Sequence, residues 1–299
     1  MGAFDVINYF HRKDSRFNRI TLGFESPNFI KWRVSDIFLV AVFVVVFFIT
    51  PKLKPFHRQF TLDDTTIQHP FAERETVNVI ELFIYSTVTP IIITFVTALI
   101  LTAPKYKIYN TYVATLGLFL SVLITSVVTD ISKNWIGRLR PDFLARCEPD
   151  KEAPRNQLVS IEVCTTSDMH RLEDGFRTTP SGHSSISFAG LFYLTLFLLG
   201  QTQAWNTKTG SLRTVVCFIP FMVAAWIALS RTQDYRHHFV DVFIGSCLGL
   251  VIGSWQYFRL FPWIGHKKSY SNLIIVEEEE EEEFKDDSNY TRLTDSSNV

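Results

Sequence analysis

The sequence has little of several features that would point to other classes of protein. Its 299 residues include only four cysteines and no Cys-x-x-Cys pair, so nothing in their spacing suggests a zinc site. There is no internal repeat, and no stretch interleaves basic and aromatic residues as nucleic-acid-binding segments do. Residues 1–31 are polar and basic without an apolar stretch, so we expect no cleavable signal peptide.

What the sequence has in abundance is apolar residues in long runs. Hydrophobic residues make up 47% of the chain, and several runs approach the roughly 20 residues needed to cross a ~30 Å hydrocarbon core. A soluble all-α protein is the alternative, but six such runs would need far more polar surface to cover them. We therefore predict an all-α polytopic membrane protein with six transmembrane helices. The runs are residues 35–50, 79–101, 112–131, 186–199, 214–229 and 239–258.

Three short polar clusters lie at the ends of these runs. The first, residues 133–141, follows the third run, and the second, residues 180–183, precedes the fourth. The third, residues 230–241, lies between the fifth and sixth runs. If all six runs span the membrane, all three clusters lie on one face of it, and we expect them to form one site.

The third cluster offers a nucleophile. His237 and Asp241 are four residues apart, so on a helix they share a face. A carboxylate that accepts the Nδ1–H of an imidazole leaves Nε2 unprotonated and able to attack. His238 competes for this role, being three residues before Asp241, but the spacing from Arg231 favours His237. An isolated pair of this kind would indicate a helix cap, but the presence of the other two clusters favours a catalytic role.

The second cluster offers an anion site and an acid. Backbone N–H groups at a helix N-terminus attract anions, and Gly182 lets a phosphate oxygen approach the main chain. The Ser181 hydroxyl is a further donor. We expect His183 to stand opposite His237 across phosphorus, where it protonates the leaving group.

The first cluster supplies cations. Lys133 and Arg140 are seven residues apart and so lie roughly on one helical face, and Pro141 ends that helix. Arg138 points to another side and belongs to a basic belt at the membrane edge. With Arg231, the two cations suit the three oxygens of a phosphoryl group.

Written as K-x6-R-P, P-S-G-H and S-R-x5-H-x3-D, the clusters resemble the signature of the type 2 phosphatidic acid phosphatase superfamily, which includes lipid phosphate phosphatases and vanadium haloperoxidases. All fixed letters are present. The strings around the clusters are similar to those of fungal diacylglycerol pyrophosphate phosphatases, over roughly residues 31–259. The resemblance implies a phosphatidic acid phosphatase type 2/haloperoxidase-like helical core.

The resemblance also implies roles for the site residues. His237 is then the nucleophile that forms a phosphohistidine, oriented by Asp241, and His183 is the general acid and later the base that activates water. The phosphoryl oxygens are then held by five residues: Lys133, Arg140, Ser181, Gly182 and Arg231. The implied reactions convert diacylglycerol pyrophosphate to phosphatidate, and phosphatidate to diacylglycerol, with no cofactor and no metal.

Other functions stay open at this point. The same chemistry could act on a polyprenyl pyrophosphate, a sphingoid phosphate or a sugar phosphate. Two alternatives come from other classes of protein. One is a catalytically silent scaffold or transporter, and the other is a metal-dependent hydrolase built on His237, His238 and Asp241. We expect phospholipid phosphates and the bilayer as partners, and no nucleic acid. The sequence specifies no oligomeric state.

Basic residues predict the orientation in the membrane. Six of them precede the first run, which places the N-terminal segment 1–34 in the cytoplasm. An even number of spans then places the C-terminus in the cytoplasm and the site, with the motif loop 142–182, in the lumen. The catalytic domain is predicted over residues 35–259. Similarity suggests the vacuolar membrane of a fungus; the Golgi, endoplasmic reticulum and plasma membrane remain alternatives.

The last segment is predicted as an acidic, disordered cytoplasmic tail over residues 260–299. From residue 277 onward it contains ten acidic and two basic residues. Asn289 begins a glycosylation sequon, which stays unmodified in the cytoplasm. In the lumenal loop, Cys147 and Cys164 either form a disulfide or remain free thiols.

Overall fold

The computed structural model describes residues 32–280, and this part of the chain contains helices and no strand. The chain divides into two compact units, Met1–Val45 and Val46–Val299, and the described part of the first contains the beginning of helix α1. The α-helices are α1 (Val34–Ile49), α2 (Val79–Phe83), α3 (Thr89–Leu101), α4 (Lys107–Ile136), α5 (Phe143–Cys147), α6 (Met169–Asp174), α7 (Gly182–Gln201), α8 (Ser211–Cys217), α9 (Ile219–Gln233) and α10 (Phe239–Phe258). Short 3₁₀ turns cover Thr50–Lys52, Thr65–Ile67 and Ile161–Val163, and a π turn, Ile84–Val88, joins α2 to α3.

Within residues 32–280, six helical segments are long and apolar enough to cross a membrane, so the prediction of an all-helical, multi-pass membrane protein is confirmed. Four of these helical segments are longer than the predicted apolar runs: for example, the run 186–199 lies inside a helix over Gly182–Gln201. Polar flanking residues thus extend the spans and place the polar clusters at helix ends. The first to sixth spans are Val34–Lys52, Val79–Leu101, Lys107–Ile136, Gly182–Gln201, Ser211–Gln233 and Phe239–Phe258.

The fourth and sixth spans pack closely because glycines line the contact. Gly245, Gly249 and Gly253 follow one another at four-residue intervals and therefore face the same side of α10. A Cβ at Gly245 would overlap the carbonyl oxygen of Ser181, and one at Gly249 would overlap that of Ser185. Small residues let helix backbones approach in this way within membranes. This contact brings the second and third polar clusters together.

The loop between the third and fourth spans forms a small core together with Phe60 and Ile67, which belong to the segment between the first and second spans. Its buried aromatic side chains include Phe143 and Phe176, which pack edge to face with ring centroids 4.8 Å apart. Cys147 and Cys164 form a disulfide, so the structure selects one of the two alternatives that the sequence left open. A folded loop gives its polar residues fixed positions above the helix ends.

The chain stays packed beyond residue 259, where we predicted a disordered tail. Leu260 and Phe261 are buried, and residues 273–280 are helical with Ile275 fully buried. Asn272 bonds through both its backbone and side-chain amides to Asn110 of α4. The prediction was wrong for residues 260–280, because apolar residues before the acidic run pack against the spans. Residues 1–31, and residues 281–299 with the Asn289 sequon, lie outside the described residues.

Candidate active site

One cavity of about 290 Å³ holds most of the predicted site residues. Six of the eight line it: Lys133, Arg140, Gly182, His183, Arg231 and His237. The remaining two, Ser181 and Asp241, are fully buried and are not among the lining residues. Ser181 is the N-cap of α7, and its hydroxyl accepts a hydrogen bond from the Ser184 hydroxyl at 3.0 Å. The three clusters therefore meet, as the parity of the spans predicted.

His237 lies just before α10, whose N-cap is His238, so its position relative to Asp241 is not that of two residues on one helical face. The Nδ1 atom of His237 is 2.8 Å from the carbonyl oxygen of Thr178. A carbonyl only accepts hydrogen bonds, so Nδ1 carries the proton and Nε2 holds the free lone pair. Burial, followed by the charges of Arg140 and Lys133, holds the pKa of His237 well below its ordinary value. The ring is therefore neutral, with the lone pair of Nε2 available.

Asp241 has other partners than the one predicted. Among the described residues it makes no hydrogen bond to His237; it accepts instead from the hydroxyls of Thr178 at 2.7 Å and Thr179 at 2.5 Å. His238 contributes its backbone N–H at 2.9 Å and its Nδ1 at 3.1 Å. The direct orienting bond was predicted from helical spacing, and the helix begins too late for that spacing to apply.

Arg138 is also not the membrane-edge belt residue that we predicted. Its Nη1 forms an ion pair with Asp241 Oδ1 at 2.9 Å. The carboxylate of Asp241 is fully buried, and a buried charge needs partners of this kind. Arg138 therefore supplies a charged partner for the buried carboxylate behind the site.

Lys133 and Arg140 reach the cavity from different elements, contrary to the predicted common helical face. Helix α4 ends at Ile136, because Gly137 adopts a left-handed conformation with φ 59°. A Cβ at this glycine would overlap the carbonyl oxygen of Phe56. The chain from there to Arg140 is not helical, so Gly137 rather than Pro141 ends the helix.

The ammonium group of Lys133 is available to bind a ligand. Its Nζ makes no hydrogen bond or ion pair to any residue in the described part of the chain, although it lines a cavity. A Cβ at Gly182 would lie 3.2 Å from this nitrogen. The glycine thus gives the ammonium room beside the start of α7, where backbone N–H groups also favour anions.

The two arginines are held rigidly by carboxylates. Arg231, which is 1% exposed, binds Glu75 and Asp234, each at 2.8 Å. Arg140 binds the carboxylate of Asp174 at 2.8 Å. Because guanidinium groups present several donors in one plane, such pairs fix their orientation while leaving further donors for a phosphoryl oxygen.

Asp174 belongs to the folded loop and is itself held by a buried arginine. Burial raises its pKa, but Arg140 and Arg146 outweigh that effect and hold the pKa below its ordinary range. Arg146 is 2% exposed and also binds both oxygens of Asp142 at 2.9 and 3.0 Å. The loop core thus positions Arg140 through a network of ion pairs.

The Nε2 atom of His183 is held by a hydrogen bond to the backbone. That atom is 3.1 Å from the carbonyl oxygen of Val77, in the segment that precedes the second span. Since the carbonyl accepts, Nε2 carries a proton, and Nδ1 is the nitrogen that can give or take one during a reaction. The two histidines therefore present different nitrogen atoms for chemistry.

Sequence reasoning missed several residues of the site. Glu75, Asp130, Asp174 and Arg236 line the cavity, and Thr178 contacts His237. Arg236 lies within the third cluster and Thr178 lies two residues before the second, so their position was a usable signal. The others lie outside the clusters, and nothing in the local pattern distinguishes them.

A metal centre on His237, His238 and Asp241 does not assemble. His237 turns Nδ1 to Thr178, whereas His238 turns its Nδ1 to Asp241. Over residues 32–280, no three histidine, cysteine, aspartate or glutamate side chains converge as ligands for an ion. The cationic side chains of the cavity and the backbone N–H groups at the start of α7 suit an anion instead.

The sequence pattern of the PAP2 superfamily matches residues 114–263, which include all three clusters. The chain belongs to this superfamily. It is similar to diacylglycerol pyrophosphate phosphatase 1 of Saccharomyces cerevisiae, with 48% identity over 78% of this chain and 81% of the relative. It is also similar to a probable diacylglycerol pyrophosphate phosphatase 1 of Schizosaccharomyces pombe, with 40% identity over 76% of this chain and 81% of the relative.

A plant relative is more distant. Lipid phosphate phosphatase 2 of Arabidopsis thaliana is 32% identical over 78% of each chain. No solved structure matches. Membership of the PAP2 superfamily, with every motif residue present, makes this chain an enzyme, a phosphatase embedded in a membrane.

Proposed function

We propose that this PAP2 enzyme is a metal-independent lipid phosphatase that works through a phosphohistidine. One observation carries the proposal: the Lys133 ammonium, which has no hydrogen bond or ion pair within the described residues, shares a cavity with two histidines. Each of these histidines has one ring nitrogen held by a backbone carbonyl. Lys133, Arg140 and Arg231 provide the positive charge that a metal ion supplies to phosphoryl groups in other enzymes.

The reaction takes two steps. His183 enters the first step protonated at both ring nitrogens. His237 Nε2 attacks phosphorus, the bond from phosphorus to the leaving oxygen breaks, and His183 gives that oxygen the proton from its Nδ1 while Nε2 keeps its own. His183 then takes a proton from water at the same Nδ1, the water oxygen bonds to phosphorus, and His237 leaves. Phosphate is released, and both histidines return to their starting states.

The substrate is a lipid because five of the fifteen residues that line the cavity have large apolar side chains. Phe47 and Phe83 pack edge to face with ring centroids 6.3 Å apart, and both line the cavity. The other apolar lining residues are Val79, Leu82 and Ile186. This wall suits the glycerol and acyl part of a lipid, while the cations hold its head group. From the names of the relatives, the preferred substrates are diacylglycerol pyrophosphate and phosphatidate.

The enzyme works with its site on the lumenal side and both termini in the cytoplasm. The basic residues before the first span support this orientation. The disulfide between Cys147 and Cys164 supports it as well, because disulfides persist in oxidising compartments. On similarity alone, the membrane is the vacuolar membrane of a fungus.

Phosphate release from diacylglycerol pyrophosphate and phosphatidate in detergent micelles, with EDTA present, tests the proposal. Wild type is compared with His237→Ala and with His238→Ala as a matched control. We expect release by wild type, none by His237→Ala, and most of the activity in His238→Ala, because His238 bonds to Asp241 but does not line the cavity. Loss of activity in EDTA that Mg²⁺ or Zn²⁺ restores would overturn metal independence. Activity only on a polyprenyl or sphingoid phosphate would overturn the substrates.

A further inference from the structure

We infer that Thr178 is a positioning residue of the reaction, which ties the nucleophilic ring of His237 to the charge of Asp241. The inference rests on the proposed function, in which His237 attacks phosphorus. Asp241 makes no hydrogen bond to His237 among the residues that the structure describes, so the link between them must run through another group.

Thr178 touches both residues. The Nδ1 of His237 lies 2.8 Å from the Thr178 carbonyl oxygen and 3.1 Å from its hydroxyl oxygen. The hydroxyl donates its own hydrogen to Asp241 Oδ2 at 2.7 Å. Its oxygen is thus an acceptor toward His237 and a donor toward Asp241, which gives an unbroken chain from ring to carboxylate.

Water cannot replace this chain. Thr178 and Asp241 are fully buried, and His237 is 4% exposed. In such surroundings a hydrogen bond to a charged group is stronger than in water, and a lost one is not replaced by solvent. The hydroxyl of Thr178 is therefore the shortest route by which the charge of Asp241 acts on His237.

The two polar groups of Thr178 have separate tasks. The carbonyl accepts from Nδ1–H and so keeps the lone pair on Nε2 before attack. When Nε2 bonds to phosphorus and the leaving oxygen departs with the proton from His183, the phosphorylated ring, still protonated at Nδ1, carries a positive charge. The hydroxyl then connects that charge to the carboxylate of Asp241, which stabilises the ring as the Asp of a catalytic triad does.

Substitutions at Thr178 can separate these tasks, because the carbonyl survives them. Thr178→Val keeps the shape and the carbonyl but removes the hydroxyl; Thr178→Ser keeps both polar groups. Thr179→Val is the matched control: the Thr179 hydroxyl also donates to Asp241, at 2.5 Å, and makes no hydrogen bond to His237 within the described chain. Both valine variants remove one hydrogen bond from the same carboxylate.

The measurements are the rate of phosphoenzyme formation, kcat, KM and the thermal midpoint, on wild type, His237→Ala and the three threonine variants. We expect Thr178→Val to slow phosphoenzyme formation and kcat by about 10- to 100-fold, with KM nearly unchanged. Thr178→Ser should restore most of the rate. Thr179→Val should lower the thermal midpoint about as much as Thr178→Val while keeping most of kcat.

Three results would overturn the inference: equal slowing in the two valine variants, no rescue by serine, or an effect of Thr178→Val on KM alone. A different pattern would mark failure of the proposed function itself. In that case wild type forms no phosphoenzyme, or His237→Ala forms it as well as wild type, whatever the threonine variants do.

Discussion

Replacing Gly245 with alanine tests whether the contact between the fourth and sixth spans builds the site. The added methyl would overlap the carbonyl oxygen of Ser181 and lie 3.2 Å from both Ser181 N and Ser184 Cβ. Ser181 N also donates to the carbonyl of Asp241 at 3.0 Å, so this backbone is held from two sides. Because the backbone cannot rotate away, the helices must separate, at a cost of about 1–3 kcal/mol.

Two other glycines of α10 make a graded series with Gly245. At Gly249 a Cβ would overlap the carbonyl of Ser185 and lie 2.9 Å from Ala189 N, whereas at Gly253 the nearest atom is 3.2 Å away. Gly253 lies about 12 Å further along the helix than Gly245. We therefore expect a similar loss of stability at the first two positions, a smaller loss at the third, and a fall in kcat at Gly245 alone.

The assay is thermal unfolding in detergent beside phosphate release, for wild type and the three alanine variants. Gly245→Ala should lower both the unfolding midpoint and kcat, and Gly249→Ala the midpoint only. If Gly245→Ala is as stable and active as wild type, the packing argument is wrong. If Gly249→Ala loses as much kcat as Gly245→Ala, the helix contact supports the fold in general and not the site in particular.

Three further predictions concern titration, the C-terminal segment and orientation. Burial and neighbouring cations lower the pKa of His237, so the ring stays neutral to a lower pH than an ordinary histidine does. In a pH profile of kcat/KM, the acid limb should therefore lie below the ordinary histidine range, and a limb at the ordinary value would contradict this. Asn272→Ala removes a bond to Asn110 and should lower the free energy of unfolding by about 1–3 kcal/mol with kcat unchanged, measured by unfolding and activity together. A glycosylation acceptor engineered within residues 142–177 should be modified in cells while Asn289 is not, and the reverse pattern would invert the orientation.

The apolar runs and the three motifs were enough to predict the helical class, the number of spans and a shared site. These depend on composition over many residues and on the parity of crossings, and neither depends on the conformation of any one residue. The residues that carry cations and imidazoles were found in the same way, because Lys133, Arg140, Arg231, His183 and His237 stand at helix ends.

The hydrogen bonds within the site could not be predicted, because they depend on where each helix begins and ends. Helix α10 begins at Phe239, after His237, and Asp241 accepts a hydrogen bond from the backbone N–H of the N-cap, His238. The four-residue spacing of His237 and Asp241 therefore does not place them on one helical face. Glu75 and Val77 reach Arg231 and His183 across more than one hundred residues of sequence. Such contacts follow from tertiary packing and leave no periodic pattern in the chain.

The near balance of charge in the cavity has a consequence for how substrate arrives. Four cationic side chains and three carboxylates line it: Lys133, Arg140, Arg231 and Arg236, against Glu75, Asp130 and Asp174. Opposite charges this close cancel beyond a few ångströms, so the cavity projects little field into the surrounding solution. Capture then depends on two-dimensional diffusion within the leaflet, and turnover should follow the surface fraction of the phosphorylated lipid far more closely than the ionic strength.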